Sequence, residues 1–125
     1  MNLNIKNDKP VVFVKVQTTG LETGSDRVLE LALIKFEEGK EPVSVIRRFN
    51  PGINISEEIS AINGITNDIV KNDPPFEEKA EGISKFIKGC DFVGFNIRNF
   101  DIPFLSAELY RSGVEFTTFG TKFID

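Results

Sequence analysis

Two long polar side chains interrupt the first apolar run of the sequence, VVFVKVQTTGL, which spans residues 11–21. Lys15 and Gln17 are two residues apart, and side chains at that spacing on a strand point to the same face of the sheet. An ammonium group and an amide would therefore lie side by side, next to the Thr-Thr-Gly turn that ends the run. The spacing thus marks the end of this strand as a candidate site.

A second group of polar residues follows another apolar segment, DFVGFN, at residues 91–96. Asn96 leaves this predicted strand, and Asp101 lies in the first turn of the helix predicted next. Ligands of open α/β sheets gather beyond the carboxyl ends of the strands, so Asp101 is a candidate metal ligand. For this residue alone, an acid that the helix dipole stabilises is an equally open interpretation.

The residue types that are absent restrict the chemistry further. The sequence contains no histidine, which excludes a Ser-His-Asp triad, imidazole metal ligands and a histidine general base within these residues. Cys90 is the single cysteine, so there is neither a disulfide framework nor a cysteine metal site. We interpret Cys90 as a small buried hydrophobe. Any chemistry would depend on carboxylates, lysine, hydroxyls or backbone groups.

Length and composition predict one globular domain over residues 1–125, with 40% hydrophobic and 27% charged residues. The net charge of −4 argues mildly against a nonspecific nucleic-acid binder but leaves room for a local basic site. No apolar run approaches the roughly 20 residues that span a bilayer, and the first ten residues do not resemble a signal peptide. We therefore expect no membrane partner and a cytoplasmic location.

Three predicted strands carry the first candidate pair and its neighbours. They cover residues 10–17, 27–36 and 42–50, and short turn-rich links join them. This arrangement predicts an antiparallel meander.

Helical signals dominate the second half of the sequence. Ser56 and Thr66 are predicted N-caps of two short helices, the first of which ends before Gly64. The remaining predicted elements are a helix over 76–88, a strand over 91–96, a helix over 100–113 and a strand over 121–125. Crossover helices after a hairpin-rich start predict an α/β domain with a mixed sheet.

In four segments the sequence resembles the DEDD, or DnaQ-like, family of 3'-5' exonucleases, which includes RNase T and the proofreading subunits of bacterial polymerase III. VVFVKVQTTGLETGSDRVLELALIKF resembles the first motif, FVVFDxETTGL followed by RIIEIGAVK. NPGINISEEISAINGIT resembles the segment that usually contains IHGIT, FVGFNIRNFDIPFLSAEL resembles the second motif, HNxxFDxPFLxxEL, and KFID resembles the strand that follows.

The resemblance implies a ribonuclease-H-like α/β fold, with a mixed five-stranded sheet flanked by helices. The C-terminal part of the family fold, including the third motif, is expected to be missing from residues 1–125. In intact relatives this fold hydrolyses phosphodiesters from a nucleic-acid 3' end. By resemblance, the residues expected to meet that end are Thr18, Thr19, Gly20, Leu21, Asn63, Ile65, Asn96 and Phe100.

The departures from the family pattern fall on the metal ligands. Intact members carry Asp at the position of Lys15 and Glu at that of Gln17, and with two later Asp residues these hold a pair of Mg²⁺ or Mn²⁺ ions. His is usual where Asn63 and Phe95 stand. Asp101 is the one retained acid, a residual and weak metal ligand. We therefore expect no tightly bound metal, impaired catalysis, and a Lys15 ammonium paired with Asp101.

Three functional hypotheses remain open from the sequence. The first is an inactive exonuclease-like domain that binds a single-stranded 3' end, of DNA or RNA, through Lys15 and the Thr-Thr-Gly-Leu turn. The second is a protein-interaction module whose exposed sheet surface binds a partner or a second copy. The third is an engineered or shortened form of an active exonuclease.

Overall fold

The structure is a computed structural model that describes residues 9–125. The described elements are β1 (Val11–Thr18), β2 (Val28–Phe36), β3 (Val43–Arg48), α1 (Glu57–Asn63), α2 (Asn67–Val70), α3 (Phe76–Ile87), β4 (Asp91–Val93), α4 (Asp101–Arg111) and β5 (Phe123–Ile124). The strands form one sheet in the order β3-β2-β1-β4-β5. β1, β2 and β3 are antiparallel neighbours, whereas β4 is parallel to both β1 and β5. The predicted meander and mixed five-stranded sheet are confirmed.

One face of the sheet is covered by α3 and α4. Alternate residues of β1, such as Val12 and Val14, point to this face and are almost completely buried, as is Leu33 opposite Val14 on β2. Phe92 of β4 and Phe104 of α4 complete the same core, and both are fully buried. Burial of such apolar side chains favours folding by about 25 cal/mol for each Å² of apolar surface removed from water.

The opposite side of the sheet, called the open face from here on, carries the other alternate residues. A partly buried apolar row crosses four strands in register on this face, and within residues 9–125 its members pack against neither of the two buried hydrophobic clusters. Its members are Ile34, Phe13, Val93 and Ile124. At one corner, α1 and α2 pack on Leu29 through a small separate cluster that includes Ile65.

The helix caps predicted from the sequence are present. The Ser56 hydroxyl accepts a hydrogen bond from the Ile59 amide, and the Thr66 hydroxyl accepts one from the Ile69 amide, each at 3.2 Å. These bonds satisfy amides of the first helical turn that have no partner within the helix. The chain leaves α1 at Gly64 with a φ of 74°, a conformation that glycine adopts without a steric penalty.

The strand predicted over residues 91–96 is wrong at its carboxyl end, because β4 stops at Val93. Beyond it, Gly94 lies so close to β1 that a Cβ there would be 2.9 Å from the Val14 carbonyl oxygen and 2.5 Å from the Ile97 side chain. Asn96 then takes a positive φ of 54°, which turns the chain out of the strand. This turn leads directly into α4.

Candidate functional site

Asp101 brings the start of α4 to the carboxyl end of β1. β4 pairs with β1 only along residues 11–13, so the Val16 amide lies beyond the end of that parallel ladder. This amide donates a hydrogen bond of 2.9 Å to Asp101 Oδ2, and the Asp101 side chain is buried. The carboxylate thus takes the place of the strand partner that the Val16 amide lacks. The residue predicted as a metal ligand therefore has a structural role.

Glu108 fastens the other end of α4 to β2. The pairing of β1 and β2 is irregular between Gln17 and Thr18, and the Val28 amide donates a 2.7 Å hydrogen bond to Glu108 Oε2. Seven residues are close to two helical turns, so Glu108 and Asp101 extend from the same side of α4. Glu108 was not among the residues predicted from the sequence, although an acid on the buried side of a helix, two turns from Asp101, is a signal that the sequence contains.

Lys15 and Gln17 lie on the open face, as their spacing predicts. The Lys15 side chain is exposed, and within the described residues it forms neither an ion pair within 4.0 Å nor a hydrogen bond. The predicted pairing of its ammonium with Asp101 is therefore wrong for this structure. The physical reason is that Asp101 is directed at the Val16 backbone and not at the neighbouring side chain.

The pKa of Asp101 is raised above its ordinary value. Burial is the largest cause, because it disfavours the charged form, and the negative charge of Asp125 acts in the same direction. The Val16 hydrogen bond and the positive charge of Lys15 partly oppose the increase. Asp125 is itself engaged, since its Oδ1 accepts a 2.8 Å hydrogen bond from the Ile97 amide. Both acids at this end of the sheet thus hold backbone amides.

The side chains at this site do not fit the pair of divalent cations that the family resemblance implies. Nowhere along residues 9–125 do three or more acidic, histidine or cysteine side chains converge as a metal-binding group. One Asp101 oxygen is already used by the Val16 amide. Mg²⁺ requires near-octahedral coordination by several hard oxygen ligands, which Asp101 and Asp125, each already bonded to a backbone amide near the Lys15 ammonium, do not provide.

The Thr-Thr-Gly turn is held together by its own side chains. The Thr18 hydroxyl donates to the Gly20 carbonyl at 2.6 Å, and the Thr19 hydroxyl donates to Asp26 at 2.8 Å. A Cβ at Gly20 would overlap the Asp26 carboxylate, so a larger residue here would displace that carboxylate from its bonds to the Thr19 hydroxyl and the Glu22 amide. Leu21 alone among the four predicted contact residues of the turn is strongly exposed, at 81%.

The other predicted contact residues divide between two neighbouring places. Asn96 lies in the turn after β4, and Phe100 packs its ring against Phe104, with centroids 5.0 Å apart. Asn63 accepts a hydrogen bond from the Ile65 amide, and Ile65 is buried in the cluster around Leu29. Leu29 follows Val28, the register partner of Thr18, so both places border the same end of the sheet.

Comparison with protein families gives a match to the RNase T model, described as Exonuclease, over residues 16–124. The chain is 32% identical over 110 residues to the 3'-5' exonuclease DinG of Bacillus subtilis, covering 87% of this chain and 12% of that protein. It is 39% identical over 97 residues to the DNA polymerase III subunit epsilon of Treponema pallidum, covering 74% of this chain and 43% of that subunit. The chain therefore spans less than half the length of either relative.

Solved structures share the same fold. E. coli exonuclease I in complex with a dT13 oligonucleotide superposes with a TM-score of 0.81 at 16% identity, covering 94% of this chain and 28% of that one. Exonuclease I from Methylocaldum szegediense gives a TM-score of 0.78 at 21% identity, over 94% of this chain and 27% of the other.

The described helices include none long and apolar enough to cross a membrane.

Proposed function

The chain belongs to the exonuclease family, and on that premise we propose that it binds the 3' end of a single-stranded nucleic acid without cleaving it. The observation that carries this proposal is the set of side chains at the carboxyl end of β1. An unpaired Lys15 and an amide, Gln17, stand beside one buried acid, Asp101, that already holds a backbone amide.

We expect no cleavage because the side chains at this site are poor ligands for divalent metal ions. Exonucleases of this family use divalent metals to activate water and stabilise the leaving oxygen. The Lys15 ammonium opposes such binding, because two positive charges about 4 Å apart repel by about 4 kcal/mol per unit charge product at an effective dielectric constant near 20. A divalent ion would experience twice that repulsion. The same ammonium favours a phosphate group directly.

Binding would be local, because the chain as a whole is acidic, with a net charge of −4. Phosphate contacts from lysine position a nucleic acid without reading its sequence. Lys15 supplies this charge at the strand end where exposed Leu21 and the Asn96 turn also lie. The complex of E. coli exonuclease I with dT13 supports the choice of a single-stranded ligand, since the two chains share their fold.

We expect Lys15→Gln to weaken binding of a single-stranded oligonucleotide at least about tenfold, since a hydrogen bond to a charged group is worth roughly 1.5–3 kcal/mol. The measurement is fluorescence anisotropy of a 3'-labelled and a 5'-labelled oligonucleotide in EDTA, repeated at several salt concentrations. Loss of one phosphate contact should reduce the salt slope by about 0.7. Lys79→Gln, the same charge change at an exposed position of α3, should leave both quantities unchanged.

Addition of Mg²⁺ to the preformed complex tests the second half of the proposal. Stable anisotropy and an intact oligonucleotide on a denaturing gel are expected. Shortening of the oligonucleotide from its 3' end would contradict the proposal, provided that Asp101→Asn abolishes the cleavage and so excludes a contaminating nuclease. Equal loss of binding in the Lys15 and Lys79 variants would show that only diffuse charge acts.

The double substitution Lys15→Asp with Gln17→Glu should create measurable Mn²⁺ affinity, because it places two carboxylates near Asp101 where an ammonium and an amide stood. Isothermal titration with Mn²⁺ should show binding that the unmodified chain lacks. We expect no turnover at the rate of intact relatives, since Asp101 remains committed to the Val16 amide. Full nuclease activity of this variant would show that the site has been placed incorrectly.

A second candidate function is self-association through the open face. Parallel strands such as β1, β4 and β5 are normally covered on both sides, and the row of Phe13, Ile34, Val93 and Ile124 is only partly buried. A second copy is the occupant we favour, because Lys15 and Glu30 give this face both charge signs. A dimer by light scattering together with no oligonucleotide binding would select this function.

The cytoplasmic location stays a prediction.

A further inference from the structure

Phe95 is a large apolar side chain left in solvent at the candidate site. It follows β4 directly, and 88% of its surface is exposed. Single exposed apolar residues are common on protein surfaces, so exposure alone decides nothing. Phe95 differs in being held on a turn that several hydrogen bonds fix.

Hydrogen bonds on both sides hold this turn in place. The Gly94 amide donates to the Ile124 carbonyl at 3.1 Å, and the Ile97 amide donates to Asp125 Oδ1 at 2.8 Å. The Asn96 carbonyl accepts a 3.1 Å hydrogen bond from the Phe100 amide at the start of α4. Because the backbone of this turn is already held, a ligand that packs against the ring has to order only the side chain.

The turn also adjoins the strand that carries Lys15. Gly94 approaches the Val14 carbonyl closely enough that no side chain fits between them. Phe95 and Lys15 are the next residues along the two segments that meet at this contact, and each is exposed. Asp101 holds the Val16 amide on the other side of Lys15. Phe95 and Lys15 therefore extend into solvent from adjacent backbone positions at the carboxyl ends of β4 and β1.

We propose that Phe95 is a stacking platform for a nucleobase of the strand whose phosphate Lys15 contacts. Successive bases of single strands stack on protein aromatics, whatever the base, because every base presents a π face. An ammonium beside an exposed ring matches the alternation of phosphate and base along such a strand. This inference rests on the proposed function and names a second contact within the same site.

Phe95→Ala should weaken oligonucleotide binding about tenfold, within the range reported for loss of one stacked base, while Phe95→Trp should preserve or strengthen it. The matched control is Phe119→Ala. Phe119 is 97% exposed but precedes β5, at the opposite end of the parallel strands. Anisotropy in EDTA should therefore separate the two alanine variants although they remove the same side chain.

Dependence on the base distinguishes stacking from a merely structural effect of the substitution. With an oligonucleotide that lacks bases at its last three 3' positions, Phe95→Ala and the unmodified chain should bind equally, whereas Lys15→Gln should still reduce affinity. A 2-aminopurine placed at those positions should lose fluorescence on binding to the unmodified chain and retain it with Phe95→Ala.

The outcomes separate failure of this inference from failure of the proposed function. Oligonucleotide binding that depends on Lys15 but is identical in the Phe95 and Phe119 variants would overturn the stacking role alone. No binding by the unmodified chain would overturn the proposed function and this inference together. Equal loss of affinity by Phe95→Ala on intact and base-free oligonucleotides would also contradict stacking, since no base would then be involved.

Discussion

Replacing Glu108 by alanine is expected to lower the free energy of unfolding by about 3 kcal/mol, because the change leaves a buried donor without a partner. The Val28 amide would lose its 2.7 Å bond to Glu108 Oε2, and the Arg111 guanidinium would lose an acid 3.1 Å away. Water cannot easily replace the carboxylate, since Glu108 is 4% exposed. Urea unfolding followed by circular dichroism measures the change.

Glu108→Gln is the matched control for this prediction. A glutamine carbonyl oxygen can still accept from the Val28 amide, so most of the lost stability should return, while the charge interaction with Arg111 is removed. Glutamine and alanine variants of equal stability would show that the ion pair with Arg111, and not the Val28 hydrogen bond, is the interaction that matters. An unchanged stability in both would mean that Glu108 does not fasten α4 to β2.

The meander could be predicted from sequence because local patterns determine it. Apolar residues alternate along β1 and β2, and the links between the strands are short. The early end of β4 could not be predicted in this way. It depends on the approach of Gly94 to the Val14 carbonyl, a contact between segments eighty residues apart that leaves no periodic signal in either of them.

The candidate site shows the same division between local and long-range information. The two-residue spacing placed Lys15 and Gln17 on one face, and family resemblance brought Asp101 to them. Sequence reasoning then paired Lys15 with Asp101, because opposite charges attract. In the structure Asp101 instead accepts a hydrogen bond from the Val16 amide. Leaving a buried backbone amide without a partner costs more free energy than leaving an exposed ammonium unpaired in water.

The second large effect expected is at Asp101, where the alanine variant should lose about 1–3 kcal/mol of stability through the unpaired Val16 amide. Asp101→Asn should lose less at neutral pH. Its side-chain oxygen can still accept that hydrogen bond, and it carries no charge into the buried position. Urea unfolding of the three proteins at pH 7 measures this order, and an asparagine variant as unstable as the alanine variant would contradict it.

The pH dependence of the same comparison tests the environment of the carboxyl group. Burial raises the pKa of Asp101 in the folded state, so the folded chain binds this proton more tightly than the unfolded chain does. Protonation of Asp101 therefore stabilises the folded chain. This stabilisation is complete below the pKa of Asp101 in the unfolded chain, about 3.9, and is lost as pH rises through its higher pKa in the folded chain. The unmodified chain should therefore gain stability relative to Asp101→Asn as pH falls from 7 to 4. If the unmodified chain instead loses stability relative to Asp101→Asn as pH falls, the Val16 hydrogen bond and the charge of Lys15 outweigh burial in setting the pKa of Asp101. The carboxyl group would then be charged at neutral pH and able to act as a metal ligand.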